Sequence, residues 1–171
     1  MLVALGGLPA TGKTTLARLL AARIGAVHLR VDTIEQALVR SGLARHHVGA
    51  AGYVVGYALA EEHLRQGLLV VAESVNPLAV TRDAWRDTAV RAGVPWVEAE
   101  VICSDPVEHR RRVTSRSVDI PDLPLPDWEQ VVGREYESWD RDHLVVETAG
   151  RTPEESLHVL LRGVSTRRDT T

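Results

Sequence analysis

Five short apolar runs recur along the chain, at residues 2–5, 27–31, 68–72, 96–103 and 144–146, and a stretch of helical periodicity separates each from the next. Runs this brief and this continuous in Leu, Val and Ile read as strands covered on both faces. Strands alternating with helices settle into a parallel sheet with right-handed crossovers, so the expectation is an α/β fold with helices on both faces. The helical patterns cover 14–24, 33–40, 47–66, 81–92, a stretch opening at Asp105, 127–139 and 153–162. Gly25, Gly67 and Gly93 stand just past three of them, where a helix stop is expected. Asp105, Pro106 and Glu108 supply a start signal: an acidic cap, proline at the first helical position and an acid at the third. Residues 117–126 hold three of the 8 prolines and read as a mobile surface loop; 164–171 read as a frayed tail after a single domain over 1–163.

Composition narrows the function. A chain of 171 residues buries enough surface to need no disulfide or structural metal, and Cys103 is the only cysteine. A net charge of −3 and a pI near 6.2 argue against a protein that coats duplex nucleic acid. The N-terminal residues lack a basic leader, and no apolar run is long enough to cross a bilayer, so the expected setting is cytoplasmic with no membrane partner.

In such sheets ligands gather at the carboxyl ends of the strands. After the first run comes Gly7-Leu8-Pro9-Ala10-Thr11-Gly12-Lys13-Thr14, which matches G-x4-G-K-[ST] and opens a helix. Gly7 and Gly12 let the backbone approach a polyphosphate, successive N–H groups form an anion nest, and the helix N-terminus adds positive charge. Lys13 is the only lysine among the 20 Lys and Arg, a compact charge that can follow a phosphoryl group in transit. Thr14 offers its hydroxyl to Mg²⁺, and Thr15 follows it in the nucleotide-binding set. Asp32, after the second run, reads either as a capping box with Glu35 or as the acceptor of a proton from a hydroxyl that attacks the γ-phosphate.

Glu73 closes the third run in the layout that holds a Mg²⁺ shell. Glu147 closes the fifth run in the same way, but the third strand can neighbour the phosphate loop, which favours Glu73. Asn76 either assists the substrate or makes a turn. Arg110, Arg111, Arg112 and Arg116 read either as a solvated helix face or as a lid cluster over transferring charge, with Arg112 and Arg116 sharing a face. Thr148, in the loop after the fifth run, is placed to edge an adenine. His46 and His47 are adjacent rather than at ligand spacing, which points to surface histidines. The tyrosines and tryptophans read chiefly as packing, with Tyr53 and Tyr57 also shaping an acceptor pocket.

With these motifs the chain resembles the small P-loop kinases, the AAA-type ATPase-like group that includes chloramphenicol phosphotransferases, gluconate and shikimate kinases, zeta toxins and polynucleotide 5′-hydroxyl kinases. Val31-Asp32 is similar to the strand-end aspartate that meets the acceptor hydroxyl in several of these families. Glu73-Ser74-Val75-Asn76-Pro77 with Arg82 resembles an acid–asparagine–arginine region of the polynucleotide kinases, and Arg112 and Arg116 resemble lid arginines. The resemblance implies a five-stranded parallel sheet in order 2-3-1-4-5, ATP with Mg²⁺, acceptor-binding helices over 33–66 and a lid over 110–127. The expectation is a monomeric or homodimeric phosphotransferase acting on a hydroxyl of a small, partly apolar molecule. A nucleic-acid end as acceptor, or a nucleotide-gated binding module, is the alternative.

Overall fold

β1 (Leu2–Gly6) is the middle strand of the sheet, and its alternating side chains explain why its sequence is apolar throughout. Leu2 and Ala4 face one core, with Val31, Leu64 and Trp85; Val3 and Leu5 face the other, with Leu16, Leu20 and Leu157. Each fully buried leucine in these layers is worth roughly 1.5–3 kcal/mol of burial. The computed structural model describes residues 1–43 and 48–168. The other strands are β2 (Val27–Arg30), β3 (Val70–Glu73), β4 (Trp96–Ile102) and β5 (Leu144–Glu147). The helices are α1 (Lys13–Ile24), α2 (Val31–Arg40), α3 (Ala51–Arg65), α4 (Ala79–Arg91), α5 (Pro106–Ser115), α6 (Trp128–Val132) and α7 (Pro153–Arg168). All strand pairs are parallel, in the order β2-β3-β1-β4-β5 that was expected. In this register Leu5 lies opposite Glu73, and Glu73 opposite Arg30, so one acid and one cation meet at the carboxyl edge.

Three elements depart from the sequence reading. The helix expected over 127–139 stops at Val132: its start is a capping box between Asp127 and Gln130, but beyond Gly133 the backbone is drawn across α4. There the Glu137 N–H donates to Pro77 O at 2.8 Å, and Arg82 donates to Glu137 O at 3.0 Å. Those tertiary bonds outweigh local helix propensity. The helix expected over 153–162 runs on to Arg168, because Gly163 is a point of close approach rather than a stop. A Cβ there would lie 2.4 Å from a Leu144 methyl, and Val164 beyond it is buried in the core. The third departure is α2, which starts at Val31 with Arg30 in the cap position and no side-chain cap, so the capping-box alternative for Asp32 falls. His46 and His47, including the expected start of the third helix, lie outside the described residues. Among the described residues no helix is long and apolar enough to cross a membrane.

Candidate active site

The carboxyl edge of the sheet opens into a cleft of about 1030 Å³, bounded by the loop before α1, the start of α2, the end of β3 and the proline-rich segment. The loop is shaped by glycine where glycine is required. Gly7 adopts φ 136°, and a Cβ there would come within 2.2 Å of Val101 O; Gly12 caps α1 at φ 101°. Carbonyls inside the loop are held by side chains. Leu8 O accepts from Lys13 Nζ at 2.7 Å and from Thr11 Oγ1 at 2.9 Å, and the buried His109 ring donates through Nε2 to Pro9 O at 2.8 Å. Burial lowers the Lys13 ammonium to about 8, partly offset by the charges of Glu73 and Asp32. A cation disfavoured by its own burial gains from any anion that enters.

Behind the loop, Glu73 is buried, takes the Thr14 hydroxyl's hydrogen bond and lies 2.9 Å from His28 Nε2. Burial alone would raise this carboxyl. The hydrogen bonds from His28 and Thr14, with the charges of Lys13 and Arg30, outweigh it and hold the group below its ordinary value. An ionised acid against the threonine hydroxyl is the donor pair a Mg²⁺ requires, because that ion keeps waters and shares phosphate oxygens instead of sitting in a protein cage. Among the described residues no group of three His, Cys, Asp or Glu is gathered to hold a metal. Phosphates fit as well. Arg116 lines the cleft with its Nε buried and without a hydrogen-bond partner among the described residues, and burial lowers its pKa.

Arg112 closes the other side. It donates to Thr148 Oγ1 and Thr148 O, both at 2.8 Å, and to Glu108 at 2.7 Å, while the Thr148 hydroxyl lies 2.8 Å from Thr11 O. The expected cluster therefore divides. Arg112 and Arg116 face the cleft, whereas Arg110 and Arg111 are exposed outside it.

Of the expected acceptor residues, Asp32 and Tyr53 line the cleft. Tyr57, Asn76 and Arg82 do not. Tyr57 stacks edge-on against Trp85 and donates to Thr81 O. Asn76 turns the chain at φ 51°, donates to Leu5 O and accepts from Trp85 Nε1. Arg82 is buried over the Trp139 ring and donates to the 137 and 138 carbonyls. These three stand behind the cleft lining rather than in it, Asn76 in the turn that was its alternative reading and Arg82 with its Nε buried and without a hydrogen-bond partner among the described residues.

The sequence reading passed over Arg30, His109, Asp119 and Arg134, and read Glu35 only as a capping partner of Asp32. Arg30 was legible by the same strand-end rule that found Glu73. Glu35 sits on Gly52, where a Cβ would come within 2.2 Å of its Cγ; burial and the Asp32 charge push it up to about 7, opposed by Arg134.

The fold has close counterparts. A sugar kinase from Janibacter sp. HTCC2649 superposes with a TM-score of 0.68 at 17% identity, covering 96% of this chain and 94% of that one. A gluconokinase from Sinorhizobium meliloti 1021 gives 0.66 at 15%, over 98% and 93%. Kti12 from Chaetomium thermophilum, solved in complex with ADP-AlF3, gives 0.65 at 22%, over 98% and 99%. No curated protein matches the sequence. A family model described as AAA domain matches residues 2–133, and on that match, with this sheet order and this phosphate loop, the chain belongs to the AAA domain family and carries the fold of the small P-loop kinases.

Proposed function

We propose that the chain transfers the γ-phosphoryl group of ATP to a hydroxyl of a small, partly apolar molecule. The observation that supports this best is the juxtaposition, in one cleft, of a phosphate-binding half and an acceptor half. Lys13, Thr14, Glu73, Arg112 and Arg116 form the first; Asp32 and Tyr53, with Val39, Val48, Leu123 and Leu125, line the second. The kinases of the same fold favour the same chemistry.

Thr14 and Glu73 would hold Mg²⁺, which when bound neutralises phosphate charge and orients the leaving group. Lys13 and the amides of the loop bind the β- and γ-phosphates, and Arg116 supplies a further cation where charge develops. Asp32, 40% exposed at its side chain, accepts the acceptor's O–H and takes that proton at Oδ as the oxygen bonds to the γ-phosphorus and the bond from that phosphorus to the bridging oxygen breaks, releasing ADP. The proline-rich segment and the apolar wall exclude water, a competing acceptor.

The test is to incubate the protein with Mg²⁺-ATP and a mixed library of sugars, hydroxylated metabolites, antibiotics and 5′-hydroxyl oligonucleotides, and to seek a gain of one phosphate by mass spectrometry. Asp32→Asn should then lower turnover by about 100-fold or more while sparing ATP affinity. Turnover unchanged in that variant would refute the role of Asp32. A phosphate found on oligonucleotides alone would replace the small-molecule acceptor.

A further inference from the structure

Arg30 ends β2 with its side chain 11% exposed, and three carboxylates surround it. Its Nη1 donates to Asp119 at 2.6 Å, its Nη2 to Asp32 at 3.4 Å, and its Nε lies 3.7 Å from Glu73 without a hydrogen-bond partner among the described residues. Each carboxylate belongs to a different part of the cleft: Asp119 to the proline-rich segment, Asp32 to the acceptor side, Glu73 to the Thr14 pair. Asp119 also accepts from Arg18 of α1 at 2.7 Å, so the segment is pinned at one carboxylate by two cations. The pull on Arg30 is uneven. Its shortest contact is to the segment, and its contact to Asp32 is long. A planar guanidinium is rigid, so the atom that Asp119 fixes sets where the other two nitrogens point.

Resting on the phosphotransfer reading, we propose that Arg30 is a positioning residue that links the proline-rich segment to the acceptor carboxylate: Asp119 seats the guanidinium, and the seated guanidinium aims Asp32 at the acceptor. Closure of the segment and alignment of the group that takes the proton are then one event. Arg30 acts through Asp32 and Glu73, not on the phosphates.

Three variants test this: Arg30→Lys, Asp119→Asn and their combination. Each is read by ATP affinity, by ADP release from Mg²⁺-ATP with the hydroxyl library, and by the rate of tryptic cleavage after Arg116. A lysine keeps the charge but cannot reach Asp32 and Asp119 together, so a merely structural cation would be rescued by it. The expected result is a fall in kcat of about 10- to 100-fold in both single variants, with ATP affinity held within about threefold. The combined variant should fall no further than Arg30→Lys, because both changes break one linkage. Cleavage after Arg116 should accelerate in Asp119→Asn.

Wild-type kcat in Arg30→Lys, or multiplicative losses in the combined variant, would overturn the proposal. If the wild-type protein releases no ADP under any condition, the phosphotransfer reading fails by itself. The cleavage assay does not depend on turnover: faster cleavage in Asp119→Asn than in Arg18→Gln, which removes only the other cation, then still supports the tie between Arg30 and the segment, and equal rates in the two variants or an unchanged rate in Asp119→Asn overturn it.

Discussion

Replacing Glu35 by glutamine should stabilise the protein progressively above about pH 4.5, and most at neutral and alkaline pH. The carboxyl is partly buried over Gly52, faces the negative charge of Asp32, and holds its proton up to about 7 rather than the ordinary 4.5. At about 1.4 kcal/mol per tenfold change in proton affinity, ionising it in the folded chain costs about 3 kcal/mol more than in the unfolded one. The sign follows from proton counting. Below pH 4.5 both states carry the proton and Glu35 is no liability. Between 4.5 and 7 the folded state binds more protons than the unfolded state, so stability drains away as pH rises, and above 7 the loss is complete. Glutamine keeps the shape and cannot ionise. Local rearrangement and Arg134 will recover part of the cost, so the expected gain is about 1–3 kcal/mol at pH 8 and near zero at pH 4. Urea unfolding at pH 4, 6 and 8 measures it directly, and in thermal melts each kcal/mol should appear as about 2–4 °C. A gain of equal size at every pH, or one largest in acid, would refute the electrostatic argument and leave only packing.

Two further outcomes follow from groups described above. Asn76→Ala removes the partner of Trp85 Nε1 and the bond to Leu5 O, and should cost about 1–3 kcal/mol in urea unfolding while leaving the KM for ATP unchanged. A raised KM for ATP would instead place Asn76 at the nucleotide. ATP affinity should fall about tenfold per pH unit above 8, because Lys13 loses its proton near there in the free protein and the triphosphate favours the ammonium. Proton uptake on binding at pH 8.5 would accompany this, and a flat profile to pH 9.5 would refute it.

The strands and the phosphate loop were legible because their causes are local. An apolar run covered on both faces announces itself, and the loop's glycines and lysine are contiguous. Less legible were residues whose partners are distant in sequence. Asn76 and Arg82 look like substrate ligands in a list of polar residues near a strand end, yet their partners are Leu5, Trp85 and Trp139. Arg30 looks like an ordinary strand-end cation until Asp119 is brought against it across the fold. Residues 134–139 continue a helical pattern, but Pro77 and Arg82 hold the backbone in another path.

The two faces of β1 have a lasting consequence. Helices α1 and α7 pack on one side beneath the phosphate loop, while α2, α3 and α4, which carry Asp32 and Tyr53, pack on the other. On the phosphotransfer reading, remodelling the second layer to admit a different acceptor bears on the contacts around Leu2, Ala4, Val70 and Ala72. The phosphate loop sits over the opposite layer, with Arg30 as the bridge between the two halves, so a lineage built on this plan that keeps Arg30 can alter its acceptor side while retaining the loop that grips the nucleotide.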